Sequence, residues 1–174
     1  MKKLLLSTVC ITALGLSACD KTQKTEADTN ATQTTNSSPT ALSHDNVSDI
    51  RSDLDAIQTL SNSKAQEALK FQTDVTQAAQ KGDKAALDQV VKSMDQYVDD
   101  FNDALDDLKL KSAEGISLKD KMKEANELGL DLAEEGVKMP PDNNKVMELQ
   151  NKSTQLQQEL LKEMQALQNK VAAQ

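Results

Sequence analysis

Two thiols (Cys10 and Cys19), one imidazole (His44) and a single arginine (Arg51) are the scarce reactive groups of this chain. A thiol can accept an acyl or alkyl group, pair as a disulfide or hold a soft metal, and its surroundings decide which. One histidine leaves no His pair for zinc, no H-E-x-x-H and no E-x-x-H for a di-iron bundle. There is no G-x-S-x-G and no Gly-rich phosphate loop. A serine–histidine pair would have to use His44, at the very start of the folded part. Met94, Met122, Met147 and Met164 could reach a haem, but methionine at a core position is ordinarily filler. The expectation is therefore no enzyme, no metal and no cofactor. The densest polar cluster is Asp99-Asp100-Phe101-Asn102-Asp103-Ala104-Leu105-Asp106-Asp107. On a helix with Leu105 turned inward, all five aspartates point outward. Calcium wants ~6–8 oxygens in a cage, and carboxylates strung along a helix face do not converge that way. Such a face is better suited to steering a basic protein partner.

Cys19 stands at the end of a leader that explains it. Lys2 and Lys3 form a short positive region, and Leu4 to Leu16 is apolar apart from Ser7, Thr8, Cys10, Thr12 and Gly15. That run is short of the ~20 residues a spanning helix needs, and it fits the core of an export signal of ~7–15 residues. Residues 1–18 read as a signal peptide cut between Ala18 and Cys19. Leu16-Ser17-Ala18-Cys19 resembles the lipobox of bacterial lipoproteins. The resemblance implies diacylglyceryl transfer to the Cys19 thiol, cleavage before Cys19, and acylation of the new amino group, palmitate being a typical chain. Two or more such chains hold a protein firmly where one holds it marginally. Cys10 would leave with the signal, so disulfides, thiolate metal sites and cysteine nucleophiles are excluded from the mature chain. The expected address is the bacterial cell envelope, on the periplasmic face of a membrane rather than the cell surface. Asp20 matches the inner-membrane retention pattern of some enteric bacteria, and inner against outer membrane stays open.

Residues 19–42 then change in composition. The stretch from Asp20 to Leu42 holds seven threonines and almost no large apolar side chain. It cannot bury enough surface to offset the entropy of ordering, so it reads as a disordered tether behind the lipidated cysteine. Residues 43–174 read as one folded domain of helical periodicity, with Gly and Pro scarce and clustered at breaks, Gly129 within helix three excepted. Helix one is expected to start at Ser43 or Asp45. It carries Val47, Ile50, Leu54, Ile57, Ala68, Phe71, Val75 and Ala78, and ends at Gly82. Asp83 caps helix two, whose stripe is Leu87, Val91, Met94, Val98, Phe101, Leu105 and Leu108. Ser112-Ala113-Glu114-Gly115 reads as a break, and Ser117 as the cap of helix three. Pro140-Pro141-Asp142 stops helix three and caps helix four, which buries Val146, Leu149, Leu156, Leu160, Met164, Leu167 and Val171. Short connections make successive helices antiparallel. The fold class is all-α: an up-down four-helix bundle, with a three-helix bundle as the alternative if helix three docks loosely.

Charge narrows the partners. The formal charge is −8, and −10 without Lys2 and Lys3. Counted by segment it is −2 over residues 43–82, −4 over 83–112, −3 over 113–139 and 0 over 140–174. Nucleic acid is excluded, because its binding needs a basic surface to release counterions. Anionic headgroups would repel the domain, so membrane attachment falls to lipid on Cys19. The functional expectation is a protein-binding module that uses the acidic face of helices two and three. Two alternatives stand beside it. One is a carrier of a small ligand in the bundle core, in a polar gap formed by Ser61, Lys64, Ser153, Gln157 and Gly129. Its plainer counterpart is a register-setting polar layer, with Lys64 reaching an acid such as Asp99. The other alternative is a self-associating coiled-coil spacer, a homo-oligomer suggested by the heptads.

Overall fold

The computed structural model describes residues 41–173. Ala18, Cys19, the signal and nearly all of the tether lie outside the described residues.

Four helices follow in order: α1 Val47–Lys81, α2 Lys84–Asp106, α3 Ala113–Val137 and α4 Asn143–Ala172. Their ends are set by local chemistry. Gly82 turns left-handed at φ 65° and its N–H reaches back to the last carbonyls of α1; a glycine adopts this region without the usual penalty. Asp83 immediately accepts the Ala86 N–H at 3.0 Å and starts α2. Asp142 accepts from Asn144 and Lys145 at 2.9 and 3.2 Å and starts α4. These three caps agree with the sequence expectation.

Two helix starts differ from it. The N-cap of α1 is Asn46, whose side-chain oxygen accepts from Ser48 and Asp49 at 3.1 and 3.3 Å. Asp45 is left-handed at φ 58°, and Ser43 pairs instead with the α2–α3 connection. There the Ser43 N–H donates to the Lys111 carbonyl and the Ala113 N–H donates to the Ser43 carbonyl, both at 2.9 Å. Helix α3 starts at Ala113 with Ser112 as its cap. The segment expected to be a break is thus the first turn of α3.

α1 packs on α2, α2 on α3, α3 on α4, and α4 back on α1. α1 and α3 also meet across the diagonal, while α2 and α4 do not. The result is a four-helix bundle with α3 fully engaged. No helix among the described residues is long and apolar enough to cross a membrane. At the end where the chain enters, Ile50, Ile57, Leu118 and Leu167 form a buried cluster flanked by Leu54, Leu108, Leu110, Met122, Leu160 and Val171. Each of the four buried side chains contributes about 1.5–3 kcal/mol by leaving water. The other half is built around the only three aromatic residues. Tyr97 meets Phe71 edge-on with ring centroids 5.3 Å apart, and meets Phe101 at 5.9 Å.

Candidate functional site

The most enclosed carboxylate among the described residues is Asp53, 2 % exposed. It lies three residues after Ile50 and four before Ile57, which places it on the inward seam of α1. Its carboxylate accepts the Lys111 N–H at 3.0 Å, the Ser112 N–H at 2.8 Å and the Ser112 hydroxyl at 2.6 Å. The Ser112 oxygen in turn accepts the Gly115 N–H at 3.0 Å. Gly115 is required by this contact, since a Cβ there would stand 2.4 Å from Asp53 Oδ2. One carboxylate therefore satisfies the α2–α3 connection and helps fix the start of α3. Sequence reasoning passed over Asp53, although its place in the apolar spacing of α1 was a usable signal. All its partners are neutral donors supplied by the protein itself, so the site is structural.

A second buried carboxylate, Glu135, continues the inward line of Leu128 and Leu132 on α3. It accepts the Asp142 N–H at 3.2 Å and pairs with Lys138 at 2.6 Å. The hydrogen bond from Lys138 holds its carboxyl below the usual glutamate value. Glu135 ties the α3–α4 connection as Asp53 ties the α2–α3 connection. His44 is exposed beside the entry to α1, and Met147 is a surface residue, 61 % exposed.

The acidic run lies where the heptad positions put it. Asp99, Asp100, Asp103, Asp106 and Asp107 are all exposed, and Phe101 and Leu105 between them are buried. Asp106 is drawn into the bundle's own pairing: Lys119 reaches it at 2.8 Å and Lys123 also contacts it. Hydrogen bonds from these two lysines lower its carboxyl to about 2. One turn further, Asn126 of α3 donates to Asn102 of α2 at 2.9 Å. Asp99, Asp100, Asp103 and Asp107 enter no ion pair among the described residues. No group of His, Cys, Asp and Glu suited to a metal ion occurs among the described residues.

The mid-bundle polar gap does not assemble. Arg51 donates to the Val171 carbonyl at 3.0 Å. Ten residues along α1 from that contact, and ten back along α4, Ser61 is level with residue 161 and about two turns from Ser153. Ser61 bonds its own helix at the Ile57 carbonyl, 2.8 Å away. A Cβ on Gly129 would meet Met94 of α2 at 3.9 Å. The Lys64 ammonium sits 5.8 Å from the centre of the Tyr97 ring, a cation–π distance, rather than at Asp99. Two surface hollows are present elsewhere. One is lined by Asp55, Ala56, Thr59, Leu60, Ser63 and Leu108, the other by Gln72, Thr73, Thr76, Gln77 and Gln80. Both are open to solvent.

Comparison with curated proteins and with solved structures finds no match. A family model described as uncharacterised lipoprotein PM1805 matches residues 51–172, from Arg51 beside the Asp53 contact to the last turn of α4. The match spans the bundle and does not include the leader, so it is independent of the lipobox. The chain belongs to this lipoprotein family, and with it to the lipid-anchored membrane proteins of the bacterial envelope.

Proposed function

We propose that the protein is a non-catalytic interaction module: Cys19 carries the lipid, residues 20–42 give reach, and the bundle offers the outer face of α2 and α3 to a basic protein partner in the periplasm. The observation that carries the partner reading is the set of aspartates Asp99, Asp100, Asp103 and Asp107, exposed and without an ion-pair partner among the described residues. Such a field steers encounter with positive charge and weakens as salt screens it. Chemical crosslinking in the native host, followed by identification of captured proteins, tests it. A basic envelope protein should be captured by the natural chain, and several-fold less by a chain carrying Asp99→Asn, Asp100→Asn and Asp103→Asn. Equal capture by both chains sinks the reading. Mass spectrometry of the protein from its host tests the anchor: an uncleaved leader, or Cys19 without fatty acid, overturns that part.

A further inference from the structure

The face opposite the acidic one has a different character. On α1, Gln58, Asn62, Ala65, Leu69, Gln72 and Thr76 recur at three- and four-residue steps and share one edge. Arg51, seven residues before Gln58 on the same edge, reaches the Val171 carbonyl of α4, so this edge borders α4. On α4, Met147, Gln150, Thr154, Gln157, Leu161 and Gln165 recur in the same way. Two charges of α4 are drawn toward α3, Glu163 pairing with Lys121 and Lys170 standing 3.9 Å from Glu114, and Glu148 and Lys152 pair with each other along α4. The two neutral edges flank the α1–α4 seam. Within that uncharged surface Leu69, Met147 and Leu161 are 47 %, 61 % and 45 % exposed. Glutamines, threonines and bare leucines are an unusual cover for a chain of formal charge −8, whose surface elsewhere is strongly charged.

We propose that this seam is the contact surface for a second copy of the same chain. The argument is electrostatic. Two copies of an acidic body repel wherever like charges are brought face to face, and the residues of these two stripes carry no charge, the exposed Lys162 standing at their border. A two-fold contact uses the same patch on both subunits and needs it to be self-compatible; side-chain amides, which both donate and accept, meet that need. A two-fold axis along the bundle keeps both chain entries, at Ser43, at one end, as attachment to one leaflet requires. Each stripe runs for ~27 Å along its helix, and two helices ~10 Å apart give a face of about 500–600 Å² per copy. That is below the ~800 Å² per partner of a stable complex. The contact is accordingly weak in free solution and strengthened by confinement to a membrane, where tethering raises effective concentration.

The test uses the full-length lipidated protein in its own cells. Leu69→Cys and Leu161→Cys are made singly, with Asp103→Cys on the acidic face for comparison, and each is treated with a mild oxidant. Disulfide-linked dimers of twice the chain mass are expected from the two seam positions, at several-fold the yield from Asp103→Cys. Adding Gln72→Glu and Gln157→Glu should cut that yield several-fold, with the circular-dichroism melting curve unchanged. Counting of photobleaching steps on the otherwise natural, labelled chain in vesicles should show pairs whose number does not fall as salt is raised. Monomers only, crosslinks to another protein, or equal dimer yield from the acidic face overturn the proposal. So does dissociation of the pairs by salt. Because capture of a basic partner depends on α2 and α3, failure here leaves the preceding reading standing, and the reverse holds too.

Discussion

The two ends of the bundle solve the same problem with different chemistry. At the end where the chain enters, Asp53 reaches across 58 residues of sequence to hold Lys111 and Ser112, inside a cluster of aliphatic side chains. At the far end Glu135 reaches only to Lys138 and Asp142, and the neighbouring core relies on Phe71, Tyr97 and Phe101. The first carboxylate is long-range and served by neutral donors. The second is local and partly neutralised by a lysine. A long-range buried acceptor makes helix pairing cooperative, because losing it strands donors on another helix; a local one mainly shapes its own turn.

The largest expected effect is at Asp53. Asp53→Ala removes the acceptor for two backbone N–H groups and a hydroxyl, and should cost about 4 kcal/mol in chemical denaturation. A loss below about 1 kcal/mol would show that water replaces it freely. Phe101→Ala strips the aromatic cluster of a buried ring packed on Tyr97 and should cost about 3 kcal/mol. If it costs more than Asp53→Ala, the ranking of the two ends is reversed. Gly115→Ala should cost about 1–3 kcal/mol, because its Cβ intrudes on a carboxylate pinned by three hydrogen bonds. In the double variant with Asp53→Ala the two losses should fall short of their sum, and strict additivity would dissociate Gly115 from Asp53.

Tyr97 reports on the far half alone, as the only tyrosine. Burial, and secondarily Glu67, push its phenol up to about 12, against ~10 in an unfolded chain. The neutral, half-buried phenol therefore contributes in full below pH ~10, and that contribution is lost as pH rises toward 12. Tyrosinate absorbance in the folded chain should appear near the upper value, and a midpoint at the unfolded value would mean that the aromatic cluster is open. The smallest effect is at Glu135. Its depressed carboxyl contributes above the unfolded glutamate value of ~4.3 and loses that contribution as pH falls below it. Acid melts of Glu135→Gln and the natural chain should converge at low pH and differ slightly at neutral pH.

Much of this architecture was legible in the residues themselves. Gly82, Asp83 and Asp142 were readable as helix ends because their cap chemistry is local, and the outward aspartates followed from the position of Leu105. What escaped were features that depend on two distant segments meeting. Gly115 looks like a helix breaker until Asp53 is packed against it. Ser43 looks like a cap until Lys111 and Ala113 claim its backbone. Lys64 looks destined for an acid until Tyr97 lies beneath it. The neutral stripes are present as plain three- and four-residue spacing, but polar uncharged residues carry no patterning that separates a contact face from an ordinary solvated one.

The entry at Ser43 has a mechanical consequence. Any tug along the polypeptide from its N-terminal side arrives at Ser43, where two backbone hydrogen bonds join it to the segment between α2 and α3, and then at Asp45, which contacts Lys170 of α4 and the Glu114 side chain of α3. Load is thus shared among α3, α4 and the α2–α3 connection before the first turn of α1 bears it. Force entering from the N-terminal side would therefore have to break these contacts before it could peel α1 from the bundle.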